Sequence, residues 1–269
     1  MDVLVVGSGG REHALCWKIR QSPLVDQLWA APGNAGIMQC ATCVPLAVDD
    51  MGGIVQFAVT RGISLVVVGP EAPLAQGLAD ELRAAGVRVL GPGARGARLE
   101  GSKAFAKEFC RRHGIPTAGA IVCTTAREAE EHLGELNFPV VVKEDGLAAG
   151  KGVVVVASLE EAQAAIEQLG QRGSLLLEEF LRGRECSLLY LCDGQTMVPL
   201  APARDYKRVN DGDQGPNTGG MGAFSPLPDV NLDAQEDAFR QIAQRVLAGL
   251  ADEQIDYRGI LYAGCMVTE

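Results

Sequence analysis

The sequence has no apolar run long enough to cross a membrane. Its longest apolar stretches, such as the one at 153–157, fall far short of the ~20 residues that a membrane-spanning helix needs. The first residues, Met1-Asp2-Val3-Leu4, carry no basic segment of the kind that begins a signal peptide, and they lead directly into a strand-like pattern. We therefore expect a cytoplasmic protein with no membrane partner.

Basic residues and histidines are also scarce. Lysine and arginine total 24 against 34 aspartates and glutamates, which gives a formal net charge of −10. Because such a surface repels a phosphate backbone, we expect no nucleic-acid partner, although a local basic site for a small anion is compatible with this charge. The three histidines, His13, His113 and His132, stand in unrelated contexts and give little support to a catalytic triad.

Cysteine is present, but it lacks the pattern of a disulfide framework or a zinc site. Eight cysteines are scattered through apolar segments, and the pair Cys40 and Cys43 has no second pair at zinc spacing. We interpret the cysteines as small buried apolar residues and expect no disulfide bonds.

The first part of the chain contains a repeated alternation of strand, glycine-rich turn and helix. At about 150 residues per domain, the 269 residues suggest two domains. The alternation predicts a doubly wound parallel sheet with helices on both faces, in a domain at 1–101. The predicted strands are 3–6, 28–30, 65–68 and 87–90, and the clearest helical patterns are 51–61 and 74–85.

From Ser102 onwards the pattern is that of an α+β domain, which we place at 102–269. Two valine-rich strands, 140–143 and 153–156, flank a glycine-rich segment and predict a hairpin. The stretch from Asp205 to Pro226 is polar, rich in glycine and without periodicity, so we predict a long functional loop there. The other predicted elements are helices at 102–112, 159–169 and 235–250 and strands at 175–177, 186–191 and 259–267.

A glycine-rich turn, Gly7-Ser8-Gly9-Gly10, follows the first predicted strand. In this position backbone N–H groups can bind an anion. A dinucleotide fingerprint needs a third glycine where this chain has Glu12, and the acidic ribose ligand expected about 20 residues further on is missing, so NAD binding is disfavoured. Phosphate binding and a tight turn without a ligand stay equally open on this motif alone.

Three further loops, at 32–36, 69–73 and 91–93, follow predicted strands and are rich in glycine and proline. They fall at the carboxyl ends of the strands, which is the edge where doubly wound sheets bind ligands. With the carboxylate of Glu71 they suit a polar small molecule. Ordinary turn chemistry explains each loop singly, but it explains their shared position less well.

Lys143 ends a buried strand and precedes the glycine-rich segment 146–152. The spacing is not that of a P-loop, because one residue is missing and Gly152 stands where Ser or Thr should bind a metal. In a hairpin this segment could fold over phosphates as a lid, with Lys143 reaching them. A solvated hairpin tip with a snorkelling lysine is the alternative.

Acidic residues and glycines cluster again further along the chain. The apolar strand at 175–177 runs into Glu178 and Glu179, and Glu185 follows closely. These acids fit either the solvated end of an edge strand or a clamp for a nucleotide. The charged residues at 205–208 precede the glycine-rich run 215–222, which predicts exposed backbone beside a ligand.

Taken in order, these motifs resemble the glycinamide ribonucleotide synthetase family, the phosphoribosylamine–glycine ligases of purine synthesis, in the ATP-grasp superfamily. The matching stretches are VLVVGSGGREHAL, APGNAG, VGPEAPL, LEGSKAFAK, KEDGLAAGKGV, EEFLRGRE, DYKRVNDGDQGPNTGGMGAFSP and GILYAG. The resemblance implies a Rossmann-like substrate domain followed by an ATP-grasp domain with a lid subdomain near 118–181. It also implies a reaction in which ATP phosphorylates the glycine carboxylate and the amine of 5-phosphoribosylamine then displaces phosphate.

The resemblance assigns roles to particular residues, with ATP and Mg²⁺ (or Mn²⁺) as cofactors and glycine and 5-phosphoribosylamine as substrates. The implied ATP ligands are Lys103, Lys143, Gly146, Gly150, Lys151, Gly152, Glu178, Glu179, Leu181 and Glu185. The implied substrate ligands are Gly9, Gly10, Asn34, Glu71, Asn217, Thr218, Gly219 and Gly220. Asp205 and Lys207 are implied to face the reacting groups.

The chain departs from the family pattern at two places. Glu144 replaces the usual alanine beside the lid, and the chain stops at Glu269 where family members continue. We therefore expect an incomplete ATP-grasp domain, metal ligands only beyond Glu269, weak nucleotide binding and no glycine-dependent ADP formation by this chain alone. The alternatives are another ATP-grasp ligase of the carboxylase type and a catalytically silent nucleotide-binding module.

Overall fold

The computed structural model describes residues 1–147, 152–212, 214–228 and 232–268, and the chain divides into two units. The first unit comprises 1–101, 191–196 and 250–260, and the second comprises 102–190, 197–249 and 261–269.

A five-stranded parallel sheet forms the centre of the first unit. Its strand order is β3-β2-β1-β4-β5, and every neighbouring pair is parallel. The parallel sheet predicted from the strand–turn–helix alternation is therefore confirmed. The strands are β1 (Val3–Gly7), β2 (Leu28–Pro32), β3 (Thr42–Cys43), β4 (Leu65–Val68) and β5 (Arg88–Leu90).

Both faces of this sheet are covered by apolar side chains, which is why its strands are continuous apolar runs. Leu4 and Val6 of β1 pack into one buried cluster, whereas Val3 and Val5 of the same strand pack into another. The first cluster contains Ile54 and Leu78 from helices, so successive residues of β1 serve two separate layers.

The helices of the first unit begin and end where local signals place them. The Asp50 carboxylate accepts from the N–H of Gly53 at 2.9 Å, and Gly62 ends the same helix in the left-handed conformation. The helix predicted at 74–85 is instead two helices, because Gly77 between them has φ +100°. The helices are α1 (Gly10–Ile19), α2 (Met51–Arg61), α3 (Glu71–Ala75), α4 (Leu78–Ala84) and α5 (Ala94–Gly101).

Two segments from the second half of the sequence belong to the first unit. The Arg95 guanidinium donates to the backbone carbonyl of Glu253 at 2.8 Å, and the N–H of Gly91 donates to the carbonyl of Arg258 at 2.8 Å. These long-range bonds hold 250–260 against α5 and the end of β5. The predicted domain limits divide the chain once, at residue 101, and therefore assign 191–196 and 250–260 to the second domain.

An antiparallel four-stranded sheet organises the first half of the second unit. Its order is β6-β9-β7-β8, and the predicted hairpin of two valine-rich strands is confirmed as the β7–β8 pair. Ser102 accepts from the N–H of Phe105 at 3.1 Å and caps the first helix, as the sequence predicts. The elements are α6 (Lys103–Arg112), β6 (Ala120–Cys123), α7 (Ala126–His132), β7 (Val140–Glu144), β8 (Val153–Val156), α8 (Leu159–Leu169) and β9 (Leu175–Glu179).

The stretch from Asp205 to Pro226 is not the loop that its lack of periodicity predicts. It forms most of an antiparallel hairpin, β12–β13, whose second strand is exposed along nearly its whole length. With no buried face, such a strand needs no apolar alternation, so the prediction of a loop was wrong. The remaining elements are β10 (Arg184–Asp193), β11 (Met197–Pro199), β12 (Arg204–Asn210), β13 (Gln214–Phe224), α9 (Leu232–Asp252) and β14 (Arg258–Val267), with a sheet of order β11-β10-β14.

Among the residues that the structure describes, no helix is both long enough and apolar enough to cross a membrane.

Candidate functional site

The loops after β1, β2 and β4 meet at one edge of the first unit's sheet because the three strands are parallel neighbours. Asn34, which follows β2, donates from Nδ2 to the carbonyl oxygen of Ser8 at 2.8 Å. Its Oδ1 accepts from the N–H of Ile37 at 2.9 Å. Asn34 therefore ties its own loop to the glycine turn that contains Gly9 and Gly10.

The glycine turn encloses a buried carboxylate. Glu12 is only 3% exposed; its Oε2 accepts from the N–H of Gly9 and its Oε1 from Nε of Arg11, each at 2.7 Å. A side chain at Gly7, Gly9 or Gly69 would overlap the Glu12 carboxyl group. These three glycines thus leave space for the Glu12 carboxyl group. The sequence shows only that Glu12 stands where a dinucleotide fingerprint has its third glycine, and it does not reveal this packing.

The buried carboxylate of Glu12 occupies one of the backbone donors of the predicted anion site. The N–H of Gly9 already has Glu12 as its acceptor, so a phosphate would have to compete for it. Gly10, in contrast, faces open space, since a Cβ there would meet nothing within 4 Å. The phosphate-binding roles of Gly9 and Gly10 stay predictions, and Gly10 is the better placed of the two.

Arg11 connects Glu12 to Glu71 across the same edge. Its Nη1 donates to Oε1 of Glu71 at 2.7 Å, so the guanidinium lies between two carboxylates. Partial burial alone would raise the pKa of Glu71, but the hydrogen bond and charge of Arg11 lower it below its ordinary value. Burial and the negative charge of Glu71 raise the pKa of nearby Glu100. This edge offers both donors and acceptors to a polar ligand.

In the second unit, Lys143 forms an ion pair with Glu178. In the antiparallel pair β7–β9, Val141 lies opposite Glu178, so Lys143 is its diagonal neighbour on the same face of the sheet. Nζ of Lys143 donates to Oε1 of Glu178 at 2.7 Å, and both side chains are largely buried. The structure thus brings together two residues that the sequence assigned to the nucleotide site.

A third charged residue, Lys107, joins this pair and was not predicted. Its Nζ lies 3.1 Å from Oε2 of Glu178, and it donates to Thr117 Oγ1 at 2.7 Å and to the carbonyl of Ala118 at 2.8 Å. Lys107 follows Lys103 by four residues on α6, a spacing that places both on one helix face. That spacing, and the place of Lys107 at the end of the matching stretch LEGSKAFAK, are sequence signals that could have revealed it.

The first residues of the predicted lid are fixed to the start of α6. Nζ of Lys103 donates to the carbonyl oxygens of Glu144 and Gly146, at 2.8 and 2.7 Å. Asp145 accepts from the N–H of Ala104 at 3.1 Å and from the hydroxyl of Ser102 at 3.0 Å. Lys103 therefore holds the base of the glycine-rich segment, and its contact with a phosphate stays a prediction.

Burial lowers the pKa of Lys103; the charge of Asp145 opposes this effect and that of Lys143 adds to it. Gly146 has φ +101°, a conformation that favours glycine. The carbonyl of Gly152 accepts from the N–H of Glu144 at 2.8 Å and closes the base of the hairpin. Gly150 and Lys151 lie outside the described residues.

The other predicted ATP ligands lie at the end of β9 or follow it. The N–H of Glu179 donates to the carbonyl of Gly119 at 2.8 Å, and its carboxylate accepts from the N–H of Gly119 at 3.2 Å. Its N–H is thus engaged within the protein. Leu181 lies just after β9 and is half-buried, whereas Glu185 is exposed at the start of β10.

The predicted catalytic pair lies on β12. Nζ of Lys207 is 3.0 Å from Oδ2 of Asp205, two residues away on the same face of the strand. Partial burial alone would lower the pKa of Lys207, but Asp205, with a further contribution from Glu185, raises it. The structure therefore brings Glu185, a predicted ATP ligand, near the predicted catalytic lysine.

The predicted substrate residues 217–220 lie on the partner strand β13. The hydroxyl of Thr218 donates to the carbonyl of Lys207 at 2.7 Å and accepts from the N–H of Gly220 at 3.1 Å. Asn217 pairs with Arg208 in the strand register. Asn217, Thr218, Gly219 and Gly220 are thus held beside the Asp205–Lys207 pair by the hairpin.

No metal centre is formed by the described part of the chain: it contains no group of three or more His, Cys, Asp or Glu residues arranged to hold an ion.

Comparison with known protein families defines the class of the second domain. A family model described as the phosphoribosylglycinamide synthetase ATP-grasp (A) domain matches residues 101–269. The second part of the chain is therefore an ATP-grasp domain. The N domain of the same synthetase matches residues 1–100, so the two models cover the chain in order. The chain belongs to the phosphoribosylglycinamide synthetase family.

Individual relatives agree with this assignment. The phosphoribosylamine–glycine ligase of Nostoc sp. (strain PCC 7120) is 50% identical over 276 residues, a match that covers 100% of this chain and 65% of the relative. The crystal structure of phosphoribosylamine–glycine ligase from Thermotoga maritima superposes with a TM-score of 0.85 at 33% identity, covering 100% of this chain and 66% of that one. This chain spans about two thirds of the length of these relatives.

A more distant structure shares the fold alone. Carboxyaminoimidazole ribonucleotide synthase from Aspergillus clavatus, solved in complex with ATP, has a TM-score of 0.73 at 18% identity, covering 100% of this chain and 66% of that one.

Proposed function

We propose that the second unit binds ATP and that the chain takes part in the ATP-dependent ligation of glycine to 5-phosphoribosylamine. The observation that carries the proposal is the convergence of Lys103 and Lys143 at the base of the glycine-rich segment. Two partly buried ammonium groups at the base of the predicted lid supply positive charge of the kind that a triphosphate requires. The family relationship supports glycine and 5-phosphoribosylamine as the substrates.

In the proposed reaction an oxygen of the glycine carboxylate attacks the γ-phosphorus of ATP, and the bond to the β-phosphate oxygen breaks to release ADP. The amine of 5-phosphoribosylamine then attacks the acyl carbon, loses a proton and displaces inorganic phosphate. The task of the protein is to position the reactants and neutralise charge, so no side-chain nucleophile is needed. Lys143 would hold phosphate oxygens, and Lys207, oriented by Asp205, would face the reacting groups.

ATP is expected to arrive as its Mg²⁺ (or Mn²⁺) complex, because phosphoryl transfer gathers negative charge that metal ions usually balance. The described residues do not form a site that fits the ion, so no step is assigned to it.

A titration of the 269-residue chain with ATP and with adenosine tests nucleotide binding directly. We expect saturable binding of ATP that is about tenfold tighter than that of adenosine, since one charge-assisted phosphate contact is worth about 1.5–3 kcal/mol. Equal affinities, or no saturable binding of ATP, would remove the lysines from a phosphate site.

The carboxylase-type ligase is the second candidate, because a solved structure of that kind shares the fold. It would need bicarbonate rather than glycine as the group that is phosphorylated. This chain alone is expected to form no ADP, so nucleotide binding is the readout. Tighter ATP binding in the presence of glycine favours the proposed function, and tighter ATP binding in the presence of bicarbonate favours the alternative.

The phosphoribosyl group is proposed to bind at the carboxyl edge of the first sheet, beside Gly10. We expect Gly10→Val to weaken binding of ribose 5-phosphate by about tenfold or more, because a side chain would occupy the position where the ligand approaches the backbone. The fold should tolerate the change, since a Cβ at Gly10 meets no neighbouring atom within 4 Å. Isothermal titration calorimetry measures the affinity.

Gly52→Val is the matched control for this variant. Gly52 also lies in the first turn of a helix of the same unit, and a Cβ there also meets nothing within 4 Å. It should leave ribose 5-phosphate binding unchanged. Normal binding by the Gly10 variant would show that the phosphate lies elsewhere.

A further inference from the structure

We infer that Lys107 is a positioning residue for nucleotide binding, an inference that rests on the proposed phosphate contact of Lys143. Lys107 keeps the Glu178 carboxylate compensated, so that Lys143 is free to leave Glu178 for a phosphate. The motif that identifies the lid and its lysine does not include Lys107.

The two lysines are held in unequal ways. Lys107 is 16% exposed and lies against three oxygen atoms, those of Thr117 Oγ1, the Ala118 carbonyl and Glu178 Oε2. Lys143 is 23% exposed, and within the described residues its single acceptor is Oε1 of Glu178. Releasing Lys143 therefore breaks one hydrogen bond, whereas releasing Lys107 would break two hydrogen bonds and an ion pair.

The contact between Lys107 and Glu178 is electrostatic. Oε2 of Glu178 is buried and makes no hydrogen bond with favourable geometry in the described structure, although Nζ of Lys107 lies 3.1 Å away. Two of the three ammonium protons of Lys107 are donated to Thr117 and Ala118. Lys107 is thus fixed by two neutral acceptors and lends its charge to Glu178.

This arrangement matters when a triphosphate binds. Glu178 is 11% exposed, and a carboxylate at that depth is costly once it loses its counter-ion. It would also repel the phosphates that Lys143 approaches. With Lys107 in place, Glu178 stays neutralised after Lys143 has moved. Without Lys107, Lys143 becomes the sole counter-ion of Glu178 and is withheld from the phosphates.

The test measures the affinities of Lys107→Met for ATP and for adenosine. We expect the Kd for ATP to rise about fivefold to tenfold, somewhat less than the loss of one whole charge-assisted contact. The Kd for adenosine should stay unchanged, because adenosine carries no phosphate to draw Lys143 away. Lys107→Arg, which keeps the positive charge, should restore most of the ATP affinity.

A double-mutant cycle with Glu178→Gln shows whether Lys107 acts through Glu178. In the Glu178→Gln background no charge needs compensation, so adding Lys107→Met should no longer weaken ATP binding. A loss that persists in that background would mean that Lys107 contacts the nucleotide itself. Equal losses for ATP and adenosine, with a lowered unfolding midpoint, would mean that Lys107 is only structural. Either result overturns the inference.

The outcome for the unmodified chain separates this inference from the proposed function. If the unmodified chain shows no saturable ATP binding, the proposed function fails and the inference fails with it. If the chain binds ATP and Lys107→Met binds it equally well, the inference alone is overturned.

Discussion

Replacing Lys143 with methionine is expected to raise the Kd for ATP at least about tenfold, because a charge-assisted phosphate contact is worth about 1.5–3 kcal/mol. The variant should still fold, since Glu178 keeps Lys107 as a counter-ion 3.1 Å away. Titration calorimetry with ATP and adenosine measures the effect, which should be confined to ATP.

Two further variants serve as controls for this result. Lys143→Arg keeps the charge and should lose less affinity than the methionine variant. Lys18→Met removes an exposed lysine of the first unit and should change nothing. An unchanged ATP affinity in Lys143→Met would remove Lys143 from the phosphate site and leave it as the counter-ion of Glu178.

Glu12→Ala is expected to destabilise the first unit by about 2–4 kcal/mol, the range for removing a buried, hydrogen-bonded charge. The change leaves the N–H of Gly9 without its acceptor and Arg11 without one of its two carboxylates. It also opens a cavity among glycines, which have no side chains to fill it. No comparable effect is expected at Asp49, an exposed carboxylate of the same unit.

The unfolding of the first unit can be followed selectively. Both tryptophans of the chain, Trp17 and Trp29, belong to that unit, so denaturant unfolding monitored by tryptophan fluorescence reports on it. Glu12→Gln should be intermediate, because the amide oxygen can still accept from Gly9. Asp49→Ala should stay within about 0.5 kcal/mol of the unmodified chain. A Glu12→Ala variant as stable as that control would show that the buried carboxylate is dispensable.

Elements with strong local signals could be predicted from the sequence. Helix α2 has the predicted bounds because Asp50 caps its start and Gly62 ends it in the left-handed conformation. Helix α4 was joined to α3 because the positive φ of Gly77 is a property of the folded backbone that a helical pattern does not reveal. The exposed strands of the β12–β13 hairpin show no apolar alternation, so the sequence predicts a loop there.

The site was predicted unevenly for a similar reason. Lys143 and Glu178 are charged residues at the ends of apolar strands, and this position identifies them as candidate site residues in the sequence. The sequence does not identify Lys107 as a site residue, because its partner Glu178 lies far along the chain. It does not identify Glu12 either: the hydrogen-bond partners Gly9 and Arg11 are local, but Gly69, which leaves space for the Glu12 carboxyl group, is remote. Such contacts depend on how elements pack together, and a single sequence does not record them.

We propose that each unit binds its own ligand, ATP in the second and the phosphoribosyl group in the first. One calorimetric series tests this proposal, in which the unmodified chain, Lys143→Met and Gly10→Val are each titrated with ATP and with ribose 5-phosphate. We expect Lys143→Met to lose affinity for ATP alone and Gly10→Val to lose affinity for ribose 5-phosphate alone. Losses of both ligands in both variants, or no binding of either ligand by the unmodified chain, would contradict it.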